Sequence, residues 1–279
     1  GNVAQWRQAA VSLKLRMAMR LADSNPSVSQ AMAEAAFLAG PIVANADNFG
    51  INYLASAPNT NPLWVSLVQS GRNDFVAANT LVDSMNPTND PRLGSYFRMY
   101  EGAYVGGDYG NANGAGSNSN LSDYMKTPDL KGDLITAAEV HFLLSEAAAR
   151  GYSVGGTAEA YYNSAIGVSM DEWGVSATDT ASYLALTEVA YATAAGDWKQ
   201  KIGSQKWVAM FNNGYEGWTA WRLLDLGLNG PVVDGVTLDI PTRFLYPTSE
   251  ATLNGSQYDS AASAIGGDTK TTKIFWDVN

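Results

Sequence analysis

The sequence has 279 residues, no cysteine, and a formal net charge of −10 from 17 Lys and Arg against 27 Asp and Glu. This acidic balance disfavours nucleic acid and anionic lipid surfaces as partners, and the absence of thiols excludes disulfides, thiolate catalysis and Cys-ligated zinc. The richest apolar run, residues 35–46, is broken by Gly40-Pro41 and is too short to span a bilayer.

The N-terminal residues have the periodicity of an amphipathic helix. In VAQWRQAAVSLKLRMAMRL (3–21), apolar side chains recur at spacings of three or four, which predicts a helix with one apolar face. The residues of this predicted face are Val3, Trp6, Ala10, Leu13, Met17 and Leu21. Arg7 and Lys14 lie off the face, and we expect both in solvent.

Proline and glycine mark the bounds of two further helices. Pro26 suits the first turn of a second helix, which we expect to run to Leu38 and to end at Gly40-Pro41. Residues 72–85, RNDFVAANTLVDSM, predict a third helix that ends at Asn86-Pro87.

The second half of the chain begins with a helical pair. Thr136 and Glu139 have the spacing of a capping box, which opens a helix that ends at Gly151. A Gly-rich turn leads to a second helix over residues 157–170. The short connection predicts an antiparallel hairpin with alanines on the inside.

A second pair follows over residues 197–211 and 215–226, joined by Asn212-Asn213-Gly214. Small residues at the crossing, a short turn and aromatic packing are typical of tetratricopeptide repeats. Strand patterns are scarce. The sequence therefore predicts a mainly α fold, built from tetratricopeptide-repeat-like helical pairs with long irregular loop inserts.

The predicted inserts cover about 45–64 and about 100–124. The first is rich in Asn and Pro with scattered aromatics, and the second is rich in Gly, Asn and Ser without an apolar period. The C-terminal part from Gly227 also has the composition of loops. Long inserts in a compact domain are usually functional surfaces or disordered segments.

The sequence contains no recognisable active site. His141 is the only histidine, and it lies within an apolar helical pattern where a packing role is expected. Asp108, Asn111 and Asn113 match no calcium motif in their spacing, so we expect neither a metal nor a cofactor. A glycoside hydrolase would need a pair of carboxylates, and no pair stands out among the acids.

Aromatic and amide side chains are the strongest ligand-binding candidates. Flat rings stack on the apolar faces of sugars, and amides bond their hydroxyl groups. The residues predicted to bind a ligand are Asn48, Phe49, Asn52, Tyr53, Trp64, Tyr104 and Tyr109. The alternative, that these rings only hold the inserts against the helices, remains open.

The segment NDPRLGSYF, residues 89–97, places an acid beside a cation. Pro91 disfavours helix at Asp90, so we expect a break after the third helix and a local pair between Asp90 and Arg92. No base, nucleophile or metal ligand stands nearby in the sequence. The segment is therefore predicted to be a structural corner.

Several segments together resemble the SusD/RagB family of outer-membrane nutrient-binding lipoproteins. They occur in the family's order over nearly the whole chain, and they are WRQAAVSLKLRMAMRL, NDPRLGSYF, TAAEVHFLLSEAAARGY, AEAYYNSAI, QKWVAMFNNGYEGWTAWR, IPTRFLYPTSEATLN and KIFWD. The chain departs from the pattern at Leu223-Leu224, where many members carry a second arginine.

The resemblance implies a single SusD-like domain over 1–279 that lacks its N-terminal portion, including the lipid anchor and the first repeat helices. It also implies a surface-exposed protein of the cell outer membrane, which is not an enzyme. Such a protein captures a glycan and passes it to a SusC-like TonB-dependent transporter. Two alternatives are a peptide-binding or purely protein-interaction module of the same uptake complex and, from a different class, a glycoside hydrolase.

Overall fold

The computed structural model describes residues 2–278. Helices dominate these residues, as predicted, and the helices are α1 (Val3–Arg20), α2 (Pro26–Leu38), α3 (Pro62–Trp64), α4 (Asn79–Met85), α5 (Leu93–Tyr96), α6 (Ala137–Ala149), α7 (Ala158–Glu172), α8 (Ala177–Leu184), α9 (Trp198–Ala209), α10 (Gly214–Leu223), α11 (Thr248–Leu253) and α12 (Gly255–Ala264). Within residues 2–278, no helix combines the length and the apolar composition that crossing a membrane requires.

The described residues also contain two small antiparallel sheets. Strand β1 (Phe49–Ile51) pairs with β2 (Gly132–Ile135), and β3 (Val232–Val233) pairs with β4 (Val236–Thr237). A Cβ atom at Gly50 would lie 2.6 Å from the carbonyl oxygen of Gly132, so glycine permits the close approach of β1 to β2. The first sheet joins the first insert to the start of α6.

The buried apolar residues form three clusters. The first lies between α1, α2 and α6, and the second lies between α6, α7, α9 and α10. The third holds α4 and α5 against the end of α9. Because α6 contributes to two clusters, it connects the N-terminal helices to the later pairs.

The bounds of α1 and α2 confirm the two predicted N-terminal helices, but the predicted apolar face of α1 is wrong. Val3 and Trp6 are 83% and 61% exposed, and Leu13 and Met17 are also exposed. The buried face of α1 instead consists of Ala9, Ser12, Leu15, Ala18 and Met19. Three of these five residues are small, which lets the neighbouring helix backbones approach closely, whereas periodicity alone favours the row of large side chains.

The third helix ends as predicted but begins later. Residues 72–78 are not helical, since Val76 and Ala78 form isolated bridges with Asn120 and Gly107 of the second insert. Helix α4 begins only at Asn79. The pairing with the insert is a tertiary interaction that competes with the local helical pattern.

The C-terminal part is more ordered than its composition predicts. The prediction of loops from Gly227 onward is wrong, because β3, β4, α11 and α12 all lie there. These elements are only two to ten residues long, and such short segments give weak periodic signals. Helix α8 was likewise not predicted.

The two helical pairs are confirmed as α6 with α7 and α9 with α10, each packed against its partner. Thr136 Oγ1 accepts a hydrogen bond from the Glu139 backbone N–H at 3.2 Å, as a capping residue should. The Glu139 side chain, however, does not complete the predicted capping box. It instead binds Arg16 of α1, with Arg16 Nε 2.6 Å from Glu139 Oε1.

The segment NDPRLGSYF forms a buried corner, as predicted. Asp90 and Arg92 pair with Arg92 Nη2 2.6 Å from Asp90 Oδ2. Arg92 also donates to Ser169 Oγ of α7 and Gln205 Oε1 of α9. The side chains of Leu93, Tyr96 and Phe97 are buried. One guanidinium therefore holds the start of α5 against both helical pairs.

The motifs that carry the family resemblance also have structural roles. The guanidinium of Arg222 lies between two indole rings, 3.8 Å from the centroid of Trp218 and 4.5 Å from that of Trp276. Glu216 of the same helix binds Arg20 of α1 at 2.6 Å. Helix α10 is thereby tied both to the N-terminal helices and to the C-terminal segment.

Candidate functional site

Polar and aromatic side chains line a cleft at the C-terminal end of α7. Its inner cavity has a volume of about 300 Å³, and its wider outer pocket has a volume of about 790 Å³. Both are lined by Tyr124, Asp171, Glu172 and Trp173, so they form one continuous depression. We call it the Tyr124–Trp173 cleft.

The inner wall is built where the first insert meets α7. Asn45 Nδ2 donates to Asp171 Oδ2 at 2.9 Å, and Asn48 Nδ2 donates to Glu172 Oε1 at 3.2 Å. Asn48 Oδ1 accepts from the backbone N–H of Ala137, the first residue of α6, at 2.7 Å. These bonds hold the insert against α6 and α7 and fix the shape of the wall.

Two neighbouring acids, Asp133 and Glu172, lie in the inner wall. Burial, followed by the charge and hydrogen bond of Asp133, raises the pKa of Glu172 to about 8. Glu172 is therefore largely protonated at neutral pH and can donate to Asp133. Lys131 Nζ lies 2.8 Å from Asp133 Oδ1 and balances the remaining negative charge.

This pair should make stability depend on pH. Because the pKa of Glu172 is higher in the folded state, its contribution is fully present below the unfolded value of 4.5 and is lost as the pH rises through about 8. The free energy of unfolding should fall in this window by up to about 1.4 kcal/mol per pH unit relative to Glu172→Gln, which mimics the protonated acid. Urea denaturation at a series of pH values measures this difference.

The exposed residue Glu188 provides the control for removing one charge. The variant Glu188→Gln should follow the wild type across the same pH series. If the free energy of unfolding of Glu172→Gln also follows that of the wild type across the pH series, Glu172 does not hold a proton in the folded protein.

Two rings stand at the junction of the inner cavity and the outer pocket. Tyr124 is 50% exposed, and its ring centroid lies 5.8 Å from that of Trp173 at an angle of 75°. The buried ring of Tyr96 packs against Trp173, with ring centroids 4.6 Å apart. Tyr124 thus offers an accessible aromatic surface beside a ring that the core holds in place.

Of the seven residues predicted from the sequence, Asn48 lines the cleft. Phe49 packs instead against Trp6 of α1, with ring centroids 5.2 Å apart. Tyr53 lies over β2, where a Cβ atom at Gly132 would be 3.1 Å from Tyr53 Cε2. These two rings hold the first insert against the rest of the fold.

The other predicted residues lie apart from the cleft lining. Asn52 is exposed, and Trp64 belongs to α3, which packs against residues 124–126. Tyr104 is half-buried against the third apolar cluster, and Tyr109 is exposed in the second insert. The structure therefore does not bring the seven residues together at one place.

The sequence contains no signal for the pairing of Asp133 with Glu172. Both acids look like ordinary solvated charges in the sequence, since Asp133 lies in a short strand and Glu172 at the last position of a helix. Tyr124 is the last residue of the predicted second insert, and Trp173 directly follows α7. Only the tertiary packing of the insert on α7 brings these groups together.

The chemistry of the cleft suits a ligand with hydroxyl or amide groups on an apolar ring. Asn45, Asn48, Asn212 and Asn213 supply amides beside the two rings. Asp133 and Glu172 are neighbouring acids in this lining, and Asp133 contributes to the raised pKa of Glu172. In the described residues, no cluster of three or more acids and histidines is arranged to hold a metal.

Comparison with protein families identifies a match over most of the chain. A SusD-like family model, described as starch-binding associating with outer membrane, matches residues 1–247. No curated protein sequence matches the chain.

Solved structures with the same fold are longer. A chitin-binding SusD homologue from Flavobacterium johnsoniae is 28% identical with a TM-score of 0.82, covering 99% of this chain and 64% of that chain. A SusD homologue from Bacteroides uniformis is 26% identical with a TM-score of 0.87, covering 100% and 66%. One from Bacteroides ovatus is 29% identical with a TM-score of 0.83, covering 100% and 67%. The chain thus spans about two thirds of the length of these homologues.

Proposed function

The chain belongs to the SusD-like family, and from this premise we propose that it binds a glycan in the Tyr124–Trp173 cleft. The observation that carries the proposal is the exposed ring of Tyr124 beside Trp173 at the mouth of an amide-lined cavity. A sugar ring can stack on Tyr124 while its hydroxyl groups reach the amides of Asn212 and Asn213. A chitin-binding homologue with the same fold supports this ligand class.

We also propose that the protein acts at the cell surface and passes its ligand to a TonB-dependent transporter of the outer membrane. The family's association with the outer membrane supports this role. Co-purification of the protein with such a transporter, from cells that express both, tests it. Recovery of each protein without the other would oppose the handover but would leave the binding proposal intact.

Replacing Tyr124 by alanine should weaken glycan binding by about tenfold. Loss of one aromatic stacking surface costs roughly 0.5–1.5 kcal/mol beyond area burial, and 1.4 kcal/mol corresponds to a factor of ten. Isothermal titration calorimetry with chitohexaose and with maltohexaose measures the effect. Since Tyr124 is half exposed, the variant should keep the melting temperature of the wild type.

Tyr215 on α10 is the matched control, because its ring is 70% exposed and lies outside the cleft lining. The variant Tyr215→Ala should bind like the wild type. The variant Tyr53→Ala separates the cleft from the site predicted in the first insert. If Tyr53→Ala weakens binding and Tyr124→Ala does not, the insert and not the cleft is the ligand site. Release of shorter sugars by the purified protein would instead indicate a hydrolase.

A further inference from the structure

A second pocket adjoins the cleft and has a different charge. It has a volume of about 440 Å³, and its lining includes the cations Arg72, Arg98 and Lys126 and the rings of Phe75 and Tyr100. No carboxylate lines this pocket among the described residues. We call it the Arg72–Arg98 pocket.

The basic lining of this pocket contrasts with the negative net charge of the chain. The protein carries a formal net charge of −10, yet three of its 17 basic side chains meet at this one pocket. The three nearby acids, Glu101, Asp74 and Asp123, lie outside the lining. The charged side chains of the lining are therefore all basic, although Asp74 and Asp123 pair with two of them from outside it.

The nearby acids position the cations and leave donors for a ligand. Asp74 binds Arg72 through two atoms, with Nε 2.9 Å from Oδ1 and Nη2 2.6 Å from Oδ2. The Arg72 guanidinium also lies 5.2 Å from the centroid of the Phe75 ring. Arg98 makes only a longer contact with Asp123, at 3.4 Å. Lys126 has no ion pair with another described residue.

The pocket is continuous with the Tyr124–Trp173 cleft. Arg98 and Met99 line both the Arg72–Arg98 pocket and the outer pocket of the cleft. Lys126 also lies two residues after Tyr124 in the same helical turn, Tyr124–Lys126. A chain-like ligand can therefore extend from the rings of the cleft to the three cations.

We infer that the Arg72–Arg98 pocket binds an anionic substituent, a carboxylate or sulfate, of a glycan whose neighbouring sugars occupy the cleft. The inference rests on the proposed function and narrows its ligand class to acidic glycans. Arginine is suited to this role because its planar guanidinium bonds oxyanions in a fixed geometry. The rings of Phe75 and Tyr100 supply apolar surface for the sugar that carries the charge.

Calorimetry with matched acidic and neutral oligosaccharides tests the inference on the full chain. The probes are hexagalacturonate with its full methyl ester, and a κ-carrageenan hexasaccharide, whose only anionic groups are sulfates, with its desulfated form. At least one acidic probe should bind about tenfold more tightly than its neutral counterpart, and the advantage should shrink as salt is added. The methyl ester and desulfated arms show whether the carboxylate or the sulfate is recognised.

The variant Lys126→Met should reduce the acidic advantage several-fold while neutral probes bind as before, because Lys126 lines only the Arg72–Arg98 pocket. Arg98→Met should also reduce the acidic advantage several-fold. The exposed Arg7 of α1 provides the control, since Arg7→Met removes the same charge at a distance from the pocket. If no acidic probe is preferred, or if Arg7→Met reduces the preference as much as Arg98→Met does, the inference is overturned.

The two proposals fail separately. If neutral glycans bind in a way that depends on Tyr124 and no acidic probe is preferred, the inference about the Arg72–Arg98 pocket is overturned and the cleft proposal stands. If acidic glycans bind in a way that depends on Arg98 but not on Tyr124, the inference about the pocket stands and the cleft proposal is overturned. Absence of binding to every probe overturns both.

Discussion

The variant Asp90→Ala is expected to lower the free energy of unfolding by about 3–5 kcal/mol, because it leaves a buried guanidinium without its counter-ion. Arg92 is 0% exposed, and Asp90 accepts its Nε and Nη2 at 2.9 and 2.6 Å. Asp90 Oδ2 also accepts from Tyr183 Oη at 2.9 Å. Urea denaturation of the wild type and the variant measures the loss.

The pair Arg72–Asp74 supplies a matched control, since it has the same chemistry but both side chains are exposed. The variant Asp74→Ala should leave the free energy of unfolding almost unchanged, because an exposed ion pair contributes little to stability. The double variant Asp90→Ala with Arg92→Met should recover part of the stability, because it removes the unpaired buried charge. Equal losses for Asp90→Ala and Asp74→Ala would contradict the structural role of the corner.

Asp90 also tests whether the corner has a functional role. We expect Asp90→Ala to act through stability, because Asp90 lines neither the inner cavity nor the outer pocket of the cleft. Loss of glycan binding in a variant that keeps the wild-type melting temperature would instead make Asp90 part of the ligand site.

Local signals in the sequence predicted much of the fold. Pro26 and Gly40-Pro41 bound α2 correctly, and the Asp-Pro-Arg segment predicted the buried corner, because each depends on residues close together in the chain. The buried face of α1 was not predictable in this way. Which residues of α1 are buried depends on how closely α2 and α6 approach it, and no local sequence pattern indicates that distance.

The candidate site depends still more on tertiary structure. Asn48 was predicted from its position in an aromatic insert, and it does line the cleft. Glu172 and Asp133 become neighbours only because β1 and β2 carry the insert to the end of α7. Residues that come from distant segments have no fixed spacing in the sequence. No local pattern therefore distinguishes these two acids from acids that are simply exposed to solvent.

The variant Arg16→Met should also cost about 3–5 kcal/mol, because it removes the cation that is hydrogen-bonded to the buried Glu139 carboxylate. The Glu139 side chain is 1% exposed, and Arg16 Nη2 lies 2.6 Å from its Oε2. Arg16 Nη2 also donates to the Leu134 carbonyl oxygen at 2.6 Å. Glu216, by contrast, keeps its bond to Arg20 when Arg16 is removed. Thermal and urea unfolding measure the cost, with Arg7→Met as the control for an exposed arginine on the same helix.

The pH dependence of this cost identifies its cause. Burial already raises the pKa of Glu139, while the hydrogen bond and charge of Arg16 oppose that rise, so removing Arg16 should raise the pKa further. A folded-state pKa above the unfolded one means that stability is lost as the pH rises, so the deficit of Arg16→Met should be larger at pH 8 than at pH 5. Adding Glu139→Gln should restore most of the loss at pH 8, because a neutral amide costs less to bury than an unpaired carboxylate. A deficit that is the same at both pH values would mean that lost packing of the arginine side chain, and not the unpaired charge, destabilises the variant.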